Sequence, residues 1–507
     1  MIIDYSQKRD SIDVSYVDEQ NKIQVEELFL KGNGYYKYVE CDEFDPNKIP
    51  DLKSFNGGFV KKENAKYFQH HNVNEFFNSD VPKNYPEHYA KFNPLIEPDP
   101  FSVDIEVMPT EEFGYSTEEL TENPITSISF TDKNFTSILF IVKNPEHPTF
   151  DVIDRGVIDN VIQDTLKQHY SLHEYKYEIR VFDTEAEMLD VFITCMRNYF
   201  HMIIGWNFLK YDWRYIFNRC KKIGIDVKRA SPTKKLSNVR IQINKDTHVD
   251  IQVPSHRILT CYMTLFKESL VYSNLASYSL DYVCEQILKL NKVSYQGNLR
   301  TLYNTNYLRF VGYSIVDTIL VMLLHKATNL LTVEFFQSYY TGVPFLKLSQ
   351  NSISEALVFQ ELKENKQFLL ETDRTNNQGR KYEGGYVKTP TKKVVEAVLT
   401  EDFSGFYPNS MITVGMSPEA KIDKIITNDL GRPINEVENQ KWLKYKALGY
   451  CLAPKGRIYD NTKDSLFTRI EKKLLNQRKV FRVYEDDIYL NLIPTIENKI
   501  KLITNNK

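Results

Sequence analysis

The sequence predicts a multidomain chain of mixed class, α/β in its centre and α+β elsewhere, and three observations carry that prediction. Residues 100–329 alternate strand-like and helix-like segments, the pattern of a sheet flanked by helices. Residues 1–99 alternate short apolar runs with turn-rich stretches such as "FNGG", "DVPKNYP" and "NPLIEPDP", the mark of a strand-rich module. With 507 residues, 42% hydrophobic and 26% charged, the chain is long enough for several sizeable cores and too apolar to be wholly disordered.

Composition narrows the partners. The net charge of −3 gives no global basic field, so contact with nucleic acid must come from local patches, of which "KKIGIDVKRASPTKKLSNVR" (221–240) is the candidate. The 33 Tyr and 30 Phe can stack on bases, but most belong to cores. Six cysteines, at 41, 195, 220, 261, 284 and 451, form no CxxC pair, which argues against a zinc site or a secreted disulfide framework and fits a reducing cytoplasm. The start "MIIDYSQKRDSIDV" is not a signal peptide. The most apolar long segment, "VDTILVMLLHK", is too short to span a bilayer, so no membrane is expected among the partners.

The elements follow in order. "FSVDIEV" (101–107) alternates strictly, with Phe101, Val103, Ile105 and Val107 on one face and Ser102, Asp104 and Glu106 on the other. Period two therefore sets two carboxylates side by side on one strand. "TEAEMLDVFITCMRNYF" is a helix: Thr184 and Glu187 form a capping box, and Leu189, Phe192, Ile193 and Met196 make its buried stripe. A short strand "MIIGWNF" leads to the helix "YDWRYIFNRCKKIG", closed by Gly224, with Asp212 at its start. Alone, Asp212 would merely complement the helix dipole. "GYSIVDTILVML" (312–323) reads as a helix with Tyr313 and Asp317 four apart on one face. After a weak signal at 330–373 and the polar, Gly-rich "ETDRTNNQGRKYEGG", a strand, a turn and a helix follow from 394. "FTRIEKKLLNQRKVFRVYEDDIYLNL" begins as a helix.

Singly, these acids are unremarkable; together they make a set. A D-x-E strand, an N-x-x-x-[YF]-D segment from Asn207 to Asp212 and a Y-x-x-x-D helix appear in that order. Four hard carboxylate ligands suit two Mg²⁺ or Mn²⁺ ions, and two such ions about 3.5–4 Å apart activate a water and stabilise the leaving oxygen of a phosphodiester.

The ordered set "DIE", "GWNFLKYD" and "YSIVD" resembles the three exonuclease motifs of family B DNA polymerases of the tyrosine-bearing DEDD type. The linking stretches "YSLDYVCEQILKLNKVSY" and "KRASPTKKL" are similar to the T-even phage replicative type. The resemblance runs from about 100 to 482 and weakly through the first hundred residues. It implies an RNase H-like 3′→5′ exonuclease domain in which Asp104, Glu106 and Asp317 bind one metal ion. Asp104 would bridge to a second ion supported by Asp212, and Tyr313 would orient the attacking water. Asn207 and Tyr211 would contact the single-stranded 3′ end. The segment "HRILTCYMTLFK" departs from the pattern by lacking the acidic residues relatives show there.

"DFSGFYP" matches the first palm motif of the same family. The resemblance implies that Asp402 binds both polymerase metals, with the Phe403 carbonyl as a further ligand. The backbone N–H groups of Gly405, Phe406 and Tyr407 would cradle the triphosphate of a dNTP at a turn entering a helix, and Tyr407 would exclude ribonucleotides. "YEGGYV" resembles the loop that tracks template backbone, through Tyr382, Gly384 and Gly385. "NQRKVFR" resembles the start of the fingers helix, with Arg478 and Arg482 four apart and suited to a γ-phosphate. The second palm carboxylate, in a Y-G-D-T-D-S-like motif, is not found after Met411. "VYEDDIYL" lies too close to Asp402 to supply it, and Glu485, Asp486 and Asp487 read as a solvated acidic face.

The expectation is therefore the N-terminal part of a replicative polymerase with incomplete palm and fingers. Its domains are expected at 1–99 (N-terminal), 100–329 (exonuclease), 330–373 (return to the N-terminal domain), 374–462 (first part of the palm) and 463–507 (start of the fingers). Each active site would use two Mg²⁺ or Mn²⁺ ions. Two origins fit such a chain, one subunit of a naturally split polymerase, which the intact exonuclease set favours, or a truncated product; the expected partners are primer–template DNA, dNTP, a complementary C-terminal chain and a sliding clamp, in the cytoplasm, of the host if phage-encoded. The competing readings are a non-catalytic primer–template binder and a stand-alone 3′→5′ exonuclease. Clustered carboxylates argue against the first, and "DFSGFYP" against the second.

Overall fold

The computed structural model describes residues 1–30, 35–54, 58–65, 90–91, 95–109, 114, 116–144, 155–167, 169, 174–243, 247–269, 271–295, 297–368, 399, 401 and 403–487. The chain divides into two compact units, one of residues 1–34 and 74–352, the other of 35–73 and 353–507. These units are larger than the domains expected from the sequence, and the first hundred residues are shared between them.

The first unit is built on a six-stranded sheet. Its order is Lys176–Phe182, Thr136–Val142, Ile125–Asp132, Pro100–Val107, Met202–Gly205, Ile258–Cys261. The strand Pro100–Val107 is central. It pairs antiparallel with Ile125–Asp132 and parallel with Met202–Gly205. Ile125–Asp132 continues antiparallel into Thr136–Val142, and Ile258–Cys261 adds parallel to Met202–Gly205. Three meander strands followed by two parallel additions on the far side of the first strand is the RNase H-like order. The sixth strand, Lys176–Phe182, lies parallel beyond the meander.

Helices cover the sheet as the periodicity requires. Glu185–Asn198 is capped by the Thr184 side chain, which accepts from the Glu187 N–H, and it buries Met188, Leu189, Phe192, Ile193 and Met196. Tyr307–Thr328 is apolar all round, and 89% of its most hydrophobic stretch is buried in the unit. The sequence reading took its apolar run as too short for a bilayer. The helix itself, 22 residues, is long enough by length and composition, and burial against the sheet accounts for its character. At Gly312 it approaches Arg155–Leu166 so closely that a Cβ would lie 2.7 Å from Val161 Cγ1.

A three-stranded antiparallel sheet of Ile2–Gln7, Ser11–Val17 and Ile23–Phe29 belongs to the same unit. It is tied to the central domain by His201 Nδ1, which accepts the Ile23 N–H at 3.0 Å, and by His256 Nδ1, 3.1 Å from Ser15 Oγ.

The second unit contains a four-stranded sheet of Tyr36–Cys41, Phe59–Asn64, Lys48–Ser54 and Gln367–Phe368. The return segment thus reaches the early strands by pairing parallel with Lys48–Ser54. Beyond it lie the helix Phe406–Val414, a small sheet of Lys421–Lys424, Arg457–Tyr459 and Cys451–Leu452, the helix Glu436–Ala447 and the helix Leu466–Asp487. The strand expected just before the DFSGFYP motif falls mostly outside the described residues.

Candidate active site

The strand Pro100–Val107 carries Asp104 and Glu106 on one face while Val103 and Ile105 are buried on the other, as the period predicts. The helix Tyr307–Thr328 brings Asp317 to them. One oxygen from each of Asp104, Glu106 and Asp317 lies within 4.8 Å of the others. Asp212 begins the helix Asp212–Ile223, is buried, and has its carboxylate steadied by main-chain hydrogen bonds at Ile105 and at Asp212 itself. The Ile105 bond places Asp212 beside the D-x-E strand.

Burial raises the proton affinity of all four acids, and repulsion from the others adds to it at Asp104 and Glu106. Burial, then Asp212, Glu106 and Asp317, push Asp104 well above the usual carboxylate range. Burial and Asp317 push Glu106 up to about 8, with Lys292 opposing. Asp212 rises to about 7, mainly through burial, against the pull of its main-chain bonds. Asp317 is raised by burial although Lys292 pairs with it. At an effective dielectric of about 20, two like charges 4 Å apart repel by ~4 kcal/mol, so one lysine cannot neutralise four carboxylates. Asp317 Oδ1 is also buried, with no hydrogen-bond partner among the described residues. Clustered carboxylate oxygens, one of them without a hydrogen bond, fit a hard divalent cation.

Lys292 and Tyr295 are the residues the sequence reading missed. Lys292 Nζ lies 2.5 Å from Asp317 Oδ2 and donates to the Tyr313 hydroxyl at 3.0 Å. Burial opposes its charge, but Asp317, Asp104 and Glu106 outweigh that and hold the ammonium above its usual range. The Tyr295 ring meets the Tyr313 ring edge-on at 5.5 Å. Burial first, then Asp317, Glu106 and Asp104, raise the Tyr313 phenol so far that it keeps its proton. Lys292 lies in the quoted stretch "KLNKVSY", but no spacing rule links a loop lysine to a carboxylate on a later helix.

Asn207 and Tyr211 sit in the turn entering the helix Asp212–Ile223, where the Asn207 carbonyl accepts the N–H groups of Lys210 and Tyr211 at 3.0 Å each. The Cys261 thiol, in the segment that departs from the family pattern, donates to the Trp206 carbonyl at 3.3 Å and lies 3.9 Å from Asn207 Oδ1. The proposed basic patch is partly consumed: Lys222 pairs with Glu122, Arg229 with Asp190 and Lys235 with Asp13.

In the second unit, Gly405 caps the helix Phe406–Val414 in the left-handed region at φ +63°, which favours glycine there. Gly405, Ser404 and Asn409 line a cavity of about 250 Å³ with Leu475, Arg478, Lys479 and Arg482. Tyr407 and Phe403 are exposed. In this structure the Phe406 N–H donates to the Phe403 carbonyl at 3.0 Å. The assigned triphosphate donor and the assigned metal ligand therefore meet each other, because the turn closes on itself. Asp402, Tyr382, Gly384 and Gly385, and the side chains of Glu485, Asp486 and Asp487, lie outside the described residues.

An RNase H-like sheet with buried acids on its central strand and on a packed helix defines the class of the first unit. Comparison with known proteins gives the family. The description "DNA polymerase family B, exonuclease domain" matches residues 60–283, and "DNA polymerase family B" matches residues 345–485. The DNA-directed DNA polymerase of Escherichia phage RB69 is 26% identical over 314 residues, 60% of this chain and 33% of that protein. That of Enterobacteria phage T4 is 26% identical over 310 residues, 59% of this chain and 33% of its own. The DNA polymerase of Pyrococcus horikoshii is 25% identical over 350 residues, 63% of this chain and 26% of that protein. The chain belongs to family B of the DNA polymerases, and it spans about a third of the length of the curated phage relatives it matches.

Proposed function

We propose that the first unit removes nucleotides from the 3′ end of DNA and that the second carries the first half of a DNA polymerase active site. The observation that carries the nuclease reading is the cluster of half-buried Asp104 with buried Glu106 and Asp317, with buried Asp212 beside it. When bound there, two divalent ions would supply an activated water and charge stabilisation at the leaving oxygen. Asp104, Glu106 and Asp317 would hold one ion, and Asp104 with Asp212 would serve the second. Tyr313, which keeps its proton, orients the attacking water by hydrogen bonding rather than acting as a base. Lys292 fixes the Tyr313 oxygen and the Asp317 carboxylate relative to one another. Asn207 and Tyr211 contact the strand end.

The second unit supports a nucleotide reading through the cavity that joins Gly405 to Arg478 and Arg482. Asp402 is the metal-binding carboxylate there, Tyr407 guards the sugar, and Tyr382, Gly384 and Gly385 follow the template. The second carboxylate is not found among these 507 residues. Synthesis on primer–template would then draw its second carboxylate from polypeptide outside these residues, whether a complementary chain or the rest of a longer one; a sliding clamp and a cytoplasmic setting belong to the same reading. The test is digestion of 5′-labelled single-stranded DNA with Mg²⁺. Asp104→Ala and Asp317→Ala should abolish it and Asp402→Ala should not. Equal digestion by the Asp104→Ala protein refutes the assignment.

A further inference from the structure

We propose that Arg214 is a positioning residue that fixes Asp212 against the strand carrying Asp104 and Glu106, through a clasp on the segment 118–123. The proposal rests on the nuclease reading above. The helix Asp212–Ile223 turns one polar face toward that segment, which lies between the D-x-E strand and its antiparallel neighbour. Tyr215 donates to the Asn123 carbonyl at 2.7 Å, and Asn218 Nδ2 to the Glu118 carbonyl at 2.8 Å. Arg219 Nη1 reaches the Thr121 carbonyl at 3.0 Å, and Lys222 Nζ pairs with Glu122 Oε2 at 2.7 Å.

Arg214 is the member of this face nearest the site. It is buried, and one guanidinium bonds three groups: Glu118 Oε1 at 2.6 Å, Glu119 Oε1, and the Lys210 carbonyl at 3.2 Å. Lys210 lies two residues before Asp212, so this side chain joins the clasped segment to the turn that delivers the carboxylate. Rigid planar geometry lets arginine hold several acceptors at once. Without it, Glu118 and Glu119 would lose their common ion pair and the turn at Lys210 would lose its brace.

The clasped segment is also strained. Thr121 is buried and sits at φ +45°, a conformation that a β-branched residue adopts only when its surroundings impose it. Its carbonyl is the one held by Arg219. A segment held this firmly transmits the position of the helix to the D-x-E strand, and the Asp212 carboxylate reads that position through its bond at Ile105.

The test counts Mn²⁺ bound by the full chain, from loss of the free-ion paramagnetic signal, alongside the exonuclease rate. Arg214→Ala should bind one ion fewer than the wild type, or bind it about tenfold or more weakly, as expected for loss of an outer support of a metal site. Its rate should fall at the Mn²⁺ level that saturates the wild type and recover as Mn²⁺ is raised. Arg214→Lys, which keeps one ion pair, should fall between. Lys222→Ala opens the far end of the clasp, about 15 Å along the helix from Asp212 at 1.5 Å per residue, and should bind as the wild type does. If Arg214→Ala does not fold, Glu118→Gln with Glu119→Gln removes the same ion pairs at equal volume, leaves the bond to the Lys210 carbonyl, and should give a smaller loss in the same direction. A folded Arg214→Ala protein, or that double variant, with wild-type Mn²⁺ binding overturns the proposal alone. A wild-type chain that binds no Mn²⁺ overturns the nuclease reading and the proposal with it.

Discussion

Asp104, Glu106 and Asp317 share one lysine, and the position of Lys292 decides how Tyr313 can act. Its ammonium touches the hydroxyl of Tyr313 and a carboxylate oxygen of Asp317 at once. Lys292→Met keeps much of the stem and removes the charge, so Asp317 and Tyr313 lose their common anchor. We expect the exonuclease rate to fall about 10²-fold, the scale seen when one preorganised donor is lost from an active site, with Tyr313→Phe costing less. Single-turnover digestion of single-stranded DNA measures both, and a Lys292→Met rate within twofold of wild type would remove Lys292 from the account. Asp104 with Glu106 was legible in the sequence because period two fixes a shared strand face, and Tyr313 with Asp317 because four residues fix a shared helix face. Lys292 was not, because a loop residue has no period. Nor was the closure of the Phe403–Phe406 turn, which depends on backbone angles that a motif does not state.

The element that sets Asp317 is the helix Tyr307–Thr328, and its seat on the sheet is specified by small and hydroxyl-bearing residues. Ser129 Oγ donates to the Ser314 carbonyl at 2.7 Å, and Thr131 Oγ1 lies 2.7 Å from Thr318 Oγ1. These bonds fix how far the helix slides along the strand Ile125–Asp132, while Gly312 fixes how near it comes to Val161. Gly312→Ala should cost about 1–3 kcal/mol, the usual range for overpacking a core. Val161→Ala in the same chain should recover part of that by opening the space the methyl needs. Denaturant unfolding of the single and double variants checks this, and additive losses would show that the two positions do not share that space. The apolar run and the Y-x-x-x-D spacing announced the helix, but its full length and its glycine contact emerged only with the packing.

At the scale of the whole molecule, the two units differ in how complete their chemistry is. The first brings four carboxylates, a lysine and a tyrosine to one place. The second joins Gly405 to Arg478 and Arg482, yet leaves Ile426, Leu430, Ile434, Val437 and Leu448 exposed and buries no side chain of the helix Glu436–Ala447. The 507-residue chain alone should therefore not extend a primer, because two-metal transfer needs carboxylates on both sides of the ion pair and Asp402 supplies one. Extension by the wild-type chain, absent from an Asp402→Ala preparation, would show that the second ligand lies within these residues.

The measurement that bears most directly on the central claim is the polarity and cation dependence of DNA degradation by this chain. A single-stranded oligonucleotide labelled at its 5′ end should shorten as a ladder, and the same strand labelled at its 3′ end should release labelled mononucleotide from the first time point. Both should require Mg²⁺ or Mn²⁺, and both should vanish with Asp317→Ala. A folded wild-type chain that leaves both substrates intact in the presence of either ion, or an Asp317→Ala chain that degrades them as fast as wild type, would contradict the account.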